Sequence, residues 1–436
     1  MSDRAIISSA LRVGVFVLVA KAMVALRDVV IASSFGAGPV ADAFNVAFAI
    51  STWLPLFLAG AIGAALVPAL IRAQRQSSAD DIRIFTAELT GHALLLAVTV
   101  CFVSLVIAWA SSRSLQASNA ANIDGIVFLM LALAPFSGLT TLFYFLANRL
   151  QAQGSFSYSV VEGLPGLVVA IFVAIFGQRA GLSALATGVL VGGVLQIVVL
   201  TTMLSRHKTS RMRPRLTRSS PHWNLLLAGI GIMTIGQALL SLVIPLDQYF
   251  ALHAGPGVPA TFGYANRIVG LATSVGTLVL GRALLPTFAE MAQNDLQAAI
   301  GFARRWTVFT LIMGMAVSAI GWFLCEPLVV LMFQRGAFTA ADTREVTDFV
   351  QLGLLQLPFY FSGIVAVQWL VVCGRFARVT VICLASVATK AVALWVLLPT
   401  WGAASLMIST VVMYVVAWIL QSASLTKPVA QVGPGR

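Results

Sequence analysis

The chain has 436 residues, of which 59% are hydrophobic and only 10% charged, and its formal net charge is +12. Soluble domains carry roughly 25% charged residues. The composition therefore excludes a soluble enzyme or module and predicts an all-α polytopic membrane protein with no stretch polar enough for a separate soluble domain.

Apolar stretches of the ~20 residues needed to cross a bilayer recur along the whole chain. A first set of spans is predicted at 8–34, 42–70, 86–110, 124–147, 157–177 and 181–203. A second set is predicted at 223–251, 259–288, 303–332, 343–372, 377–397 and 401–422. The first apolar run continues past Lys21 to Ile31, too long for a cleaved signal segment, and is expected to remain as the first transmembrane helix.

That first helix carries charges that a lipid-facing helix would not. Lys21 and Asp28 stand two turns apart, on nearly one face and roughly 10 Å from each other, with Arg27 about 100° further round. Each charge at a helix centre costs roughly 2.5–3.5 kcal/mol on insertion scales, so such an arc is expected to line a cavity or a partner helix. Asp42 follows at the start of the second span. Other charges near span edges, Arg12, Glu88, Glu162 and Arg344, are expected to snorkel to an interface.

The pattern Asp28, Ala32, Gly36, Gly38, Ala41 recurs with the same spacing as Asp247, Ala251, Gly255, Gly257, Ala260. A second echo is LVPAL at 66–70 and LLPTF at 284–288. These repeats divide the chain into a six-helix lobe at 1–203, a basic linker at 204–222, a second six-helix lobe at 223–422 and a tail at 423–436. An even number of helices per half predicts parallel repeats, an arrangement common in transporters with sites at the repeat interface.

Charge placement sets the expected topology. With the N-terminus inside, the inner connections hold Arg4, Arg72, Arg75, Arg83, Arg149, Arg304, Arg305, Arg375, Arg378, Lys427, Arg436 and the linker run from Arg206 to Arg218. The outer connections hold only Arg113, Arg179 and Arg335. The asymmetry obeys the positive-inside rule and places both termini in the cytoplasm. The basic excess is thus a topology signal, and no nucleic-acid partner is expected.

In the second half, Pro245 precedes Asp247 by two residues, and a break there would free carbonyl oxygens beside a carboxylate. This marks Pro245 and Asp247 as a coupling or gating site. Arg267 and Arg282 lie near one face of the eighth helix and would join Lys21 and Arg27 around a cationic cavity. Guanidinium groups there suit a phosphate or pyrophosphate. The alternative is internal salt bridging of Arg27 or Lys21 with Asp28 or Asp42. Lys390, mid-span in the eleventh helix, either pairs with Asp247 as a fixed internal cation or adds to the cavity. Neither the four cysteines nor the four histidines show metal-type spacing, so no metal and no cofactor is expected.

The segment RDVVIASSFGAGPVADAF at 27–44 resembles the opening motif of the MurJ/MviN family, lipid II flippases of the multidrug/oligosaccharidyl-lipid/polysaccharide exporter superfamily. The likeness continues in GAIGAALVPAL at 60–70, VGGVLQ at 191–196, YANRI at 264–268 and EPLVVLMFQRGAFTAAD at 326–342. The resemblance implies two six-helix lobes in a V, alternating access and a central cationic cavity. It also implies that a lipid-linked anionic glycan with a pyrophosphate head is exported across the bacterial cytoplasmic membrane. Arg27, Asp42 and Arg267 fall on family cavity positions, and Lys21 stands where the family usually has arginine. Two departures are visible: TWLPLFLAGA at 52–61 lacks the family's charged residues, and the two further C-terminal helices common in murein flippases are not expected here.

The function expected is flipping of lipid II, with another lipid-linked oligosaccharide such as an exopolysaccharide or O-antigen unit as the alternative substrate. Membrane lipids and cell-wall or polysaccharide synthesis machinery are the other expected partners. No GxxxxGK[ST] loop is present, so the driving force is expected to be the membrane potential or a monovalent cation gradient. A drug antiporter would favour an acidic, aromatic-lined cavity. An enzyme would need a sizeable extramembrane catalytic region, so the chain is not read as one.

Overall fold

A computed structural model describes residues 3–76, 78–116, 123–205 and 213–425. All regular structure among them is helical, in fifteen α-helices and one short 3-10 turn. Nine stretches of the described residues are long and apolar enough to cross a membrane. Some of these stretches, among them 340–372 and 376–424, hold more than one helix. The protein is therefore a multi-pass membrane protein. Linker residues 206–212 and tail residues 426–436 lie outside the described residues.

Two compact units are present, Met1–Gln248 with Arg335–Phe338, and Tyr249–Gln334 with Thr339–Arg436. The first contains α1 (Asp3–Phe35), α2 (Pro39–Gln76), α3 (Ala79–Gln116), α4 (Ile123–Ala152), the single turn α5 (Tyr158–Val161), α6 (Leu164–Ala180), α7 (Leu182–Ser205) and α8 (His222–Ser241). In it α4 packs against α2, α3 and α7, and α6 packs against α1 and α7. One of its cores gathers Leu66, Leu70, Phe85, Leu89, Trp223 and Leu226 from α2, α3 and α8. Trp223 and Leu226 belong to α8, which lies along α2.

After α9 (Val243–Ala254), the second unit contains α10 (Val258–Asn294), α11 (Leu296–Phe333), α12 (Ala340–Leu354), α13 (Leu357–Val372), α14 (Phe376–Trp401) and α15 (Ser405–Ser424). Here α13 packs against α10, α11 and α15, and α14 packs against α15. These pairings repeat those of α4 with α2, α3 and α7, and of α6 with α7. The same packing order occurs in both units, while α8, which the sequence reading places in the lobe at 223–422, belongs to the first.

The repeated glycine phrase makes the same corner twice. α1 ends at Phe35 and α2 begins at Pro39, while α9 ends at Ala254 and α10 begins at Val258, the same step within each pattern. Gly36 has φ 60°, and Gly255 and Gly257 have φ 136° and 82°, backbone that residues with a Cβ rarely adopt. The repeated alanines Ala32, Ala41, Ala251 and Ala260 are all fully buried, so small side chains let the helices meet closely beside each corner.

Glu88 does not snorkel. It is fully buried on α3 and accepts hydrogen bonds from the Thr217 hydroxyl (2.8 Å), the Ser219 N–H and hydroxyl (2.8 and 2.6 Å), the Ser220 N–H (3.3 Å) and the Trp223 indole (2.8 Å). Carboxylate oxygens have about four acceptor directions, and here the end of the linker fills them. The Arg215 N–H also donates to the Ala87 carbonyl at 3.0 Å. Gly91 lets the linker lie flat on α3, because a Cβ there would collide with the Arg215 carbonyl group.

Candidate functional site

The charged arc of α1 is resolved into unlike parts. Arg27 and Asp28 are both buried, 3% and 5% exposed, in a helix of otherwise apolar character. Arg27 donates from Nε (2.9 Å) and from a terminal nitrogen (2.7 Å) to one oxygen of Asp28, its neighbour in sequence. Its guanidinium also lies over the rings of Phe48 and Phe44 on α2, at 4.7 and 5.7 Å from their centroids. A buried cation needs a partner to offset its desolvation. Here the carboxylate supplies it on one edge, and the aromatic faces of the next helix supply it on the flat side. Salt bridging within α1, the alternative weighed for these charges, is thus present for Arg27 and Asp28.

Lys21 is exposed, two turns earlier on α1. Gly163, just before α6, has no side chain between it and α1, since a Cβ there would sit 2.7 Å from the Ala20 carbonyl oxygen. This close approach brings the neighbouring residues together, with Glu162 within electrostatic reach of Lys21. Glu162 thereby joins the arc, although its position in the sequence near a span edge gave no reason to include it. Asp42 is buried in the first turn of α2, where the helix dipole favours a carboxylate. The turn Arg335–Phe338, from the other motif with strong family likeness, donates the Ala337 N–H to the Ser33 carbonyl of α1 at 2.8 Å.

Two of the coupling candidates, Pro245 and Asp247, lie beside a helix break. α8 stops at Ser241 and α9 starts at Val243, so the break falls just before Pro245, whose ring cannot continue the hydrogen-bond ladder. Asp247 is buried within α9. In the second unit Arg267 is half-buried on α10. Lys390 is fully buried on α14 and donates from Nζ to the Thr410 hydroxyl of α15 at 2.7 Å. The side chain of Arg282 lies outside the described residues. The first unit thus holds Lys21, Arg27 and Asp28 on α1 and Asp42 at the start of α2, with Arg27 paired to Asp28, while Arg267 and Lys390 belong to the second.

Sequence reasoning did not find the Glu88 cluster. Its one legible signal is RSSPHW at 218–223, where serines and a proline before an apolar run mark a helix start. Nothing in the sequence names an acceptor on a helix far upstream.

The family model described as "Lipid II flippase MurJ" matches residues 31–432. A probable lipid II flippase MurJ of Rhizobium tropici is 27% identical over 77% of this chain and 64% of its own length. One of Bdellovibrio bacteriovorus is 25% identical over 92% of this chain and 78% of its own length. The chain spans 64% of the length of the Rhizobium tropici relative and 64% of that of Rhizobium meliloti. Among solved structures, "Lipid II flippase MurJ, inward closed conformation" superposes with a TM-score of 0.76 over 96% of this chain and 88% of that one, at 15% identity. An inward-facing MATE-family transporter of the MOP superfamily superposes with a TM-score of 0.72 over 93% of each chain, at 16% identity. These two likenesses establish the exporter fold. With the family model covering nearly the whole chain and a cationic, carboxylate-braced first helix in place, the chain belongs to the MurJ family of lipid II flippases.

Proposed function

We propose that this protein moves lipid II, an undecaprenyl-pyrophosphate-linked glycan, from the inner to the outer leaflet of the bacterial cytoplasmic membrane by alternating access. The observation that carries this reading is the family match over residues 31–432. The bases held within apolar helices agree with it, because a pyrophosphate needs fixed cations where water is scarce. In this reading Lys21, Arg27, Arg267 and Arg282 bind the head group. Asp28 holds Arg27 in orientation, and Asp42 sets the corner beside it.

Asp247, Lys390 and Pro245 serve coupling or gating, driven by the membrane potential or a monovalent cation gradient, with no cofactor and no enzymatic step. Both termini face the cytoplasm, and the cell-wall synthesis machinery takes the product. The test is rescue of cells depleted of their lipid II flippase, read as lipid II accessible at the outer leaflet. Restored accessibility is the expected result. Failure there, together with restored capsule or exopolysaccharide in another background, would replace lipid II by another lipid-linked oligosaccharide.

A further inference from the structure

The first unit holds a cavity of about 390 Å³ between α2, α3, α4 and α8, away from the α1–α2 corner. Its walls are almost wholly apolar, with Pro55 and Leu66 from α2, Leu96 from α3, Phe145 from α4 and Leu227 from α8. From Pro55 to Leu66 the slot follows α2 for roughly 16 Å, about three helical turns. It opens beside the face of α3 that exposes Leu95, Val98 and Phe102, at 53%, 68% and 65%. On a helix of a membrane span, such a face meets lipid chains.

One end of the slot is cationic. Arg218 is exposed, donates from Nε to His92 Nε2 at 3.2 Å and lies over the Trp223 ring at 5.6 Å. Among the described residues its guanidinium meets no carboxylate. Glu88, the nearest carboxylate along the linker, is occupied by Thr217, Ser219, Ser220 and Trp223, which fix the backbone on both sides of Arg218. The guanidinium is therefore held at the mouth of an apolar slot with donors to spare. By the positive-inside reading, on which the leaflet assignment rests, this mouth faces the cytoplasm.

We propose that this cavity is a binding site for an anionic glycerophospholipid of the cytoplasmic leaflet, with one acyl chain in the slot and its phosphate on Arg218, which His92 holds in place from Nε2. Charge complementarity at the mouth selects the head group, since basic pockets between membrane helices on this side are suited to anionic lipid heads. The walls are mostly apolar and take a chain, with Thr99, Thr141, Tyr144 and Asn148 their polar side chains on α3 and α4. Bound there, the lipid fills the space that α8 shares with α2, α3 and α4.

The test uses the full chain in nanodiscs and does not depend on flipping, so its failure is separate from failure of the lipid II reading. Phosphatidylglycerol carrying a diazirine in one acyl chain is photolysed and the labelled peptides are mapped. Labelling is expected within 55–66, 89–99 and 223–227. It should fall at least fivefold in Arg218→Gln and in the slot-filling Ala59→Phe, both checked by gel filtration and circular dichroism. On the wild-type protein, excess unlabelled phosphatidylglycerol should abolish labelling while inorganic phosphate should not. That arm keeps the proposal testable if a variant fails to fold. Equal labelling by a phosphatidylcholine probe, unchanged labelling in Arg218→Gln, competition by phosphate alone, or labelling spread over all lipid-facing helices would each overturn the assignment.

Discussion

At the scale of single residues, two buried acids of the first unit, Asp28 and Glu88, do opposite work. Asp28 braces a cation, and Glu88 braces backbone. Arg27 spends one edge of its guanidinium on Asp28, which leaves the remaining donors directed elsewhere. Lysine would keep the charge and lose that fork. Arg27→Lys is therefore expected to insert and express normally while lipid II translocation falls at least tenfold, read as lipid II exposure at the outer leaflet. Near wild-type translocation would remove Arg27 from the head-group site. Glu88→Ala deprives donors at Ser219 and at the buried Ser220 and Trp223 of their acceptor. A loss of about 3 kcal/mol is expected, since stranded buried donors cost about 1–3 kcal/mol each with partial relaxation. It would appear as a lowered thermal midpoint of the purified protein.

Elements are joined here by what glycine omits. Gly163 allows α1 to touch the start of α6 at Ala20, and through that contact Lys21 comes within reach of Glu162. Gly163→Val would force the helices apart, at a cost of about 1–3 kcal/mol for overpacking. Comparing its thermal midpoint with that of Gly154→Val, at a glycine with open space around it, isolates the effect of contact from that of backbone strain, because Gly154 has φ 77° and Gly163 does not share it. The duplicated corners offer a paired test. Gly36→Ala and Gly255→Ala each place a Cβ at positive φ, and each is expected to destabilise by about 1 kcal/mol. A large effect at one corner and none at the other would show that the two copies no longer share one structural role.

For the whole molecule, the proposed drive by the membrane potential can be tested by removing that potential. Collapse of the membrane potential with a potassium ionophore is expected to stop lipid II exposure in cells that depend on this protein, while its level in the membrane stays constant. Continued exposure at zero potential would move the driving force to a cation gradient. The sequence alone determined the all-helical membrane class, the repeated aspartate–glycine pattern and the bases of α1, because hydropathy, spacing and the energetic penalty of buried charge are local properties that a linear pattern records. It also located the helix break near Pro245, since a missing N–H acts within one turn. Tertiary structure alone decided who partners whom across helices: Arg27 with Phe48, Lys390 with Thr410, and Glu88 with a linker more than a hundred residues away. Those choices depend on which backbones approach closely enough for a side chain to reach, and long-range proximity leaves no periodicity in a single sequence.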